Sequence, residues 1–143
     1  MKVYAESSAV LSWVLDERRG GAAFDVLERA SLVFASTLTL IECSRALHRL
    51  VGLGELRADA ADALASDLRA MAEQWVRLDI GERVVARASG PFPVEPVRSL
   101  DAIHVASALL VHEASGPVAM LSFDDRVRSN AAALGLTVLP KKT

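Results

Sequence analysis

Short apolar runs alternate along this chain with longer segments in which apolar residues return at every third or fourth position, so strand and helix periodicities take turns from end to end. The first run, residues 2–6, is β-prone at Val3 and Tyr4 and stops at Glu6 and the pair Ser7-Ser8. Ala9, Val10, Trp13 and Val14 then recur at helical spacing. The charged patch Asp16 to Arg19 followed by Gly20-Gly21 is expected to close that helix, and Phe24 and Leu27 mark a second short amphipathic helix over 22–30. Leu32, Val33 and Phe34 predict a second strand. Helices follow over 39–51 and 55–75, and because only Gly52-Leu53-Gly54 breaks them they are expected to form an αα-hairpin. A short strand at 76–78 leads to a helix over 81–88. Prolines 91, 93 and 96 impose a loop, since proline lacks an N–H donor and restricts its predecessor. A largely apolar helix over 99–111, a strand over 118–123, a helix over 126–134 and a last strand at 136–139 complete the pattern.

Strands separated by segments of crossover length predict a single domain, residues 1–143, with a three-layer α/β architecture around a parallel sheet. In such a sheet all strand C-termini lie on one edge, where ligands bind. Glu6 follows the first strand, Glu42 opens the helix after the second, and Asp124 follows the fourth. Asp101 lies in the first turn of the helix that leads into the fourth strand and reaches the same edge if that helix starts there. Each acid has a local explanation. Thr39 and Glu42 have capping-box spacing, Ser99 can cap the helix whose dipole Asp101 complements, Ser122 or Asp124 can cap the last helix, and Glu6 can sit in solvent. Jointly these explanations weaken, because carboxylates crowded in one crevice repel and a hard divalent cation relieves them. A donor set of oxygens favours Mg²⁺ or Mn²⁺ over Zn²⁺.

Composition narrows the picture further. With 143 residues, 52% hydrophobic and 24% charged, the chain is sized for one core and carries no bias towards disorder. Its single cysteine, Cys43, excludes an internal disulfide and a cysteine-based zinc site and is expected to be a buried small hydrophobe in a reducing compartment. A net charge of −2 gives no global positive field, but a bound cation inverts local charge and lets an acidic site accept a polyanion. The N-terminal stretch lacks a signal-peptide pattern and no apolar run is long enough for a bilayer, so a cytoplasmic location with no membrane partner is expected.

Four segments in order, VYAESSAVLSWVLDE, STLTLIECSRAL, RSLDAIHVASAL and LSFDDRVRSNAAALGL, resemble the PIN domain, in particular the toxin ribonucleases of bacterial VapBC-type toxin–antitoxin modules. The resemblance spans residues 2–139. It implies a sheet of about five parallel strands in order 3-2-1-4-5 and an endoribonuclease that uses Mg²⁺ or Mn²⁺ to activate water on an RNA phosphodiester. It also implies a small cognate antitoxin and a homodimer, for either of which the αα-hairpin between Thr39 and Trp75 offers an apolar stripe. Matched by motif, Glu42, Asp101 and Asp124 are the second, third and fourth acids, with Asp125 a further acid beside the metal set. Ser7 and Ser122 match hydroxyl positions that orient the acids. The first position departs: the family normally has Asp where this chain has Glu6, and the added methylene shifts the carboxylate. A catalytically weak or idle module that binds RNA or a partner is therefore the alternative. Arg45, Arg49, Arg98, Arg126 and Arg128 flank the expected edge, Arg126 and Arg128 being the preferred RNA contacts. His104, three residues after Asp101, is expected to be packed and hydrogen-bonded rather than a ligand. A receiver-like signalling domain shares the alternation but needs an acid pair after the first strand and a lysine at the last, which this chain lacks.

Overall fold

A computed structural model describes residues 1–141. Among them five strands, β1 (Lys2–Ala5), β2 (Leu32–Ser36), β3 (Val76–Leu78), β4 (Val118–Leu121) and β5 (Val138–Leu139), pair in the order β3-β2-β1-β4-β5, all parallel. Seven helices connect and cover them: α1 (Ser7–Val14), α2 (Gly20–Arg29), α3 (Thr37–Gly52), α4 (Ala58–Ala72), α5 (Glu82–Ala88), α6 (Ser99–Ser115) and α7 (Asp125–Ala133). The architecture is the three-layer α/β fold with strand order 3-2-1-4-5. No helix among the described residues is long and apolar enough to cross a membrane.

Strand alternation divides the core into two halves. Val3, Ala5, Val33, Ala119 and Leu121 face one side, where they meet Val10, Val14, Leu27, Leu47 and Leu68 from α1–α4. Tyr4, Phe34, Val118 and Met120 face the other, against Val105, Leu109 and Val127 from α6 and α7. Because the central strands are buried on both faces, they read as continuous apolar runs, as a covered parallel sheet requires. Met120 and Leu121 are fully buried, each burial contributing about 1.5–3 kcal/mol relative to exposure. Cys43 is buried in the first half-core, as expected of a lone cysteine acting as a small hydrophobe.

Several local expectations change. The charged patch does close α1, the turn lying at residues 15–19 with Asp16 at φ 52°, a conformation aspartate tolerates, but Gly20-Gly21 takes no part in it. Gly20 instead opens α2 where it crosses α1, and a Cβ there would stand 2.3 Å from the Ser12 carbonyl oxygen. The Thr39–Glu42 capping box does not form. Ser36 caps α3 by accepting from the Leu38 N–H, while the Thr39 hydroxyl donates to the Ala5 carbonyl at 3.0 Å, tying α3 to the end of β1. Nor does Ser99 cap α6, which starts at that residue after an extended Arg98.

The proline loop before α6 is braced from within. Asn130, fully buried on α7, accepts from the Val94 N–H at 2.9 Å and donates to the Val94 carbonyl at 2.9 Å, a side chain pairing with backbone as a strand neighbour does. This loop delivers the chain to the N-terminus of α6, and α6 packs against β4 and α7.

Candidate functional site

A helix that precedes a parallel strand runs antiparallel to it, so its N-terminus lies at the strands' C-terminal edge. That topology carries Asp101 to the edge where Glu6, Glu42 and Asp124 arrive directly from β1, β2 and β4. All four acids line one crevice of about 750 Å³, together with Ser7, Ser8 and Arg98. The expectation that they share an edge is met for each.

Glu6 is buried and both its oxygens are engaged. In an extended N-cap conformation it accepts from the Ser8 N–H at 3.1 Å through Oε1, and from the Ser8 and Ser122 hydroxyls through Oε2, the latter at 2.7 Å. Both serines also accept backbone N–H groups, Ser8 from Phe123 at 2.8 Å and Ser122 from Asp124 at 3.0 Å. The carboxylate thereby stitches the end of β1 to the end of β4 and starts α1.

Glu42 sits one helical turn into α3 and turns Oε1 towards two donors, the Ser7 hydroxyl at 2.8 Å and Nε2 of His104 at 2.5 Å. Neither bond involves Oε2. Burial alone would raise this carboxyl, but the His104 hydrogen bond and charge and the Ser7 hydroxyl outweigh it and hold the group below the usual carboxylate range. His104 is 1% exposed, and its Nδ1 meets the Tyr4 hydroxyl at 2.7 Å. Both ring nitrogens are thus used within the protein, as expected of a packed helix histidine. Tyr4 is fully buried at the centre of the sheet; burial and the nearby Glu6 charge push its phenol well above the ordinary tyrosine range, so it stays protonated.

Asp101 is the unsatisfied member. Its side chain is 16% exposed, Arg98 approaches only to 3.8 Å from the solvent side, and Oδ2 is buried with no hydrogen-bond partner among the described residues. Burial and the charges of Asp124 and Glu6 raise its carboxyl, with Arg98 and His104 partly offsetting them. Asp124 caps α7, its Oδ1 accepting from the Arg126 and Val127 N–H groups at 2.9 and 3.0 Å, which leaves Oδ2 outside those bonds. Of the two candidate caps for α7, Asp124 is therefore the one used.

Buried polar atoms without partners are rare in native proteins and call for an explanation. Asp101 Oδ2 lies in the crevice that Glu42 and Asp124 also line, each with one oxygen outside its hydrogen bonds, and carboxylate oxygens are the hard, anionic donors that Mg²⁺ or Mn²⁺ accepts. The donor chemistry fits such a cation. The spacing is not that of a closed cage, for among the described residues no three acidic, histidine or cysteine side chains stand at mutual metal-binding distance. The acids share a crevice rather than a finished coordination shell.

The basic candidates separate. Arg126 is exposed at the start of α7 and Arg98 is exposed at the crevice. Arg128 donates to the carbonyls of Ser122, Leu139 and Pro140 at 2.8–3.1 Å, which ties the end of β4 to that of β5. Arg45 faces the groove between α3 and α4. Asp125 is exposed, lies outside the residues lining the crevice, and its charge acts on Arg128. Sequence reasoning missed Tyr4 and Ser8. A tyrosine between the apolar Val3 and Ala5 of β1 was the available signal, because a buried phenol needs a partner for its hydroxyl.

A sequence model of the PIN domain matches residues 3–133. The chain is 30% identical over 141 residues to a Mycobacterium tuberculosis protein named Ribonuclease VapC35, covering 96% of this chain and 95% of that one. Among solved structures it resembles FitAcB from Neisseria gonorrhoeae with a TM-score of 0.70 at 17% identity, over 98% of this chain and 97% of that one. It resembles Mycobacterium tuberculosis VapC20, described as a toxin that cleaves the sarcin–ricin loop, with a TM-score of 0.66 at 18% identity, over 94% and 96%. At those identities the structural likenesses establish the fold alone.

Proposed function

Because this chain belongs to the PIN-domain family, we propose that it is a Mg²⁺- or Mn²⁺-dependent endoribonuclease acting as the toxin of a toxin–antitoxin pair in the cytoplasm. The observation that carries this reading is the buried, partnerless Oδ2 of Asp101 in a crevice shared with Glu42 and Asp124. Asp101, Asp124 and Glu42 would hold the cation, and bound there it supplies an activated water and charge neutralisation at a phosphodiester. Ser7 fixes Glu42, while Glu6 and Ser122 hold the two strand ends that form the floor. Arg98 and Arg126, exposed at the crevice and the start of α7, are placed to grip RNA phosphates. The name of the relative, Ribonuclease VapC35, supports RNA as the substrate. A small antitoxin is assigned to the groove between α3 and α4, where half-exposed Ile41 lies beside Leu40, Arg45 and Arg69.

One observation favours a second reading, a catalytically idle module that binds RNA or a partner: both oxygens of Glu6 are consumed inside the fold. Incubating purified protein with structured RNA and Mn²⁺ separates the two. Cleavage that disappears on chelation and in Asp101→Asn supports the nuclease. An uncut RNA that stays bound, together with a sharp gain in Mn²⁺ affinity in Glu6→Asp, supports the idle module.

A further inference from the structure

We propose that His104, oriented by Tyr4, is a positioning residue that sets the rotamer of Glu42 and aims its second oxygen into the crevice; this rests on the reading of Glu42 as a cation ligand. The chain of contacts runs from the core of the sheet to the site: Tyr4 hydroxyl to Nδ1 at 2.7 Å, Nε2 to Glu42 Oε1 at 2.5 Å. Glu42 has three rotatable bonds and is only partly buried, so without a fixed donor its carboxylate samples solvent-facing rotamers. His104 has no such freedom. Its ring is enclosed, packed edge-on to Tyr4 with centroids 5.9 Å apart.

Donor and acceptor logic makes the relay directional. A carboxylate only accepts, so Nε2 must carry a hydrogen towards Glu42. In the neutral imidazole the Tyr4 phenol donates to Nδ1 and so selects the tautomer with its proton on Nε2; in the imidazolium Nδ1–H donates to the phenol oxygen and Nε2 still carries its hydrogen towards Glu42. The Ser7 hydroxyl, 2.8 Å from Glu42 Oε1 and 3.2 Å from Nε2, closes the triangle and spends its proton on the same oxygen. Both donors converge on Oε1, so Oε2 is left for a ligand. Partners of this kind, one step removed from a metal, alter affinity or rate by about 10–100-fold when lost.

His104 is a positioning residue and not a catalytic one, because Glu42 and Tyr4 occupy its two nitrogens. The test combines His104→Leu, His104→Gln, Tyr4→Phe and Glu42→Gln, read by calorimetric Mn²⁺ titration and by RNA cleavage. His104→Leu should weaken Mn²⁺ binding about 10–100-fold and lower kcat without changing KM for RNA. His104→Gln, whose amide N–H reaches the same oxygen, should restore most of both. Tyr4→Phe should fall between and should shift the imidazole ¹⁵N signals of the metal-free protein away from the Nε2–H tautomer. In a Glu42→Gln background, His104→Leu should have no further effect on Mn²⁺ affinity. Equal Mn²⁺ affinity in His104→Leu and wild type, or an undiminished effect of His104→Leu when Glu42 is already Gln, overturns the proposal. If wild type binds Mn²⁺ and the relay behaves as stated but no RNA is cut, the nuclease reading fails while the positioning role stands; if wild type binds no Mn²⁺, both fail.

Discussion

Asp101→Asn should make the metal-free protein more stable while removing its response to Mn²⁺. The substitution keeps the shape of the side chain and deletes its charge, at a position where Oδ2 is buried without a partner and where Asp124 and Glu6 add like charge. An unsatisfied buried group costs about 1–3 kcal/mol and a charged one more; the amide is still a polar group without a partner, so only the excess due to the charge is released. Residual exposure and the screened contact with Arg98 reduce that cost, and such exposed pairs contribute only about 0–1 kcal/mol. A net release of about 1 kcal/mol follows, equivalent to about 3–4 °C in Tm for a chain of this size. Folding raises the pKa of Asp101, so its stabilising form is the protonated one: its contribution is complete below the unfolded carboxylate range and is lost as pH rises through the raised value. The gap between mutant and wild type should therefore open towards neutral pH and vanish in acid. Saturating Mn²⁺ should reverse the order, since a ligand at a hundred times its Kd stabilises wild type by about 2.7 kcal/mol and the mutant far less. Melting curves with chelator and with Mn²⁺ check both halves. A mutant less stable than wild type in chelator at neutral pH, or one that gains as much from Mn²⁺, would refute the reasoning.

Other outcomes rest on separate contacts. Gly20→Ala should destabilise by about 3 kcal/mol, because its Cβ would meet the backbone of Ser12 at 2.3 Å, whereas Gly21→Ala, with nothing within 4 Å, should stabilise by up to about 1 kcal/mol; denaturant titration of the pair reads the difference. Glu6→Gln should lower stability by about 1–3 kcal/mol, since an amide cannot accept from all three donors, and hydrogen exchange at the start of α1 should accelerate most. Arg128→Met should lower Tm through the three carbonyls it abandons, while Arg126→Ala should leave Tm unchanged and weaken RNA binding, with a shallower salt dependence. Folding lowers the pKa of Glu42, so its contribution is present above the unfolded carboxylate range and is lost as pH falls through the depressed value; Glu42→Gln should flatten that acid limb of a stability–pH profile.

The fold was legible because its signals are local and repeated: apolar strand runs, helix-length crossovers and the edge to which a parallel sheet brings the ends of its strands. Three acids followed from that edge rule, and Asp101 from the direction of α6. Caps were less legible. Ser36, Thr37 and Thr39 all have the chemistry of a helix start; Ser36 accepts from the Leu38 N–H, while Thr37 and Thr39 turn their hydroxyls to the carbonyls of Leu78 and Ala5 on other strands. The partners of Glu6 and His104 lie beyond any local rule, since Ser122 is 116 residues from Glu6 and Tyr4 is 100 from His104. Such contacts exist only once β1 lies between β2 and β4.

The pair of hydrogen bonds between Asn130 and the backbone of Val94 bears on what the crevice would admit if RNA is its guest, as proposed above. The proline loop that ends at Arg98 and Ser99, both lining the crevice, is strapped to α7, the helix that Asp124 caps. Two sides of the entrance therefore belong to one braced frame, which opposes widening of the opening. For RNA, the substrate proposed above, deformation would then fall to the nucleic acid: strands already splayed, in loops and bulges, would enter at low cost, and paired stems would have to open first. Selectivity of this kind resides in the stiffness of the doorway and needs no base-reading side chain.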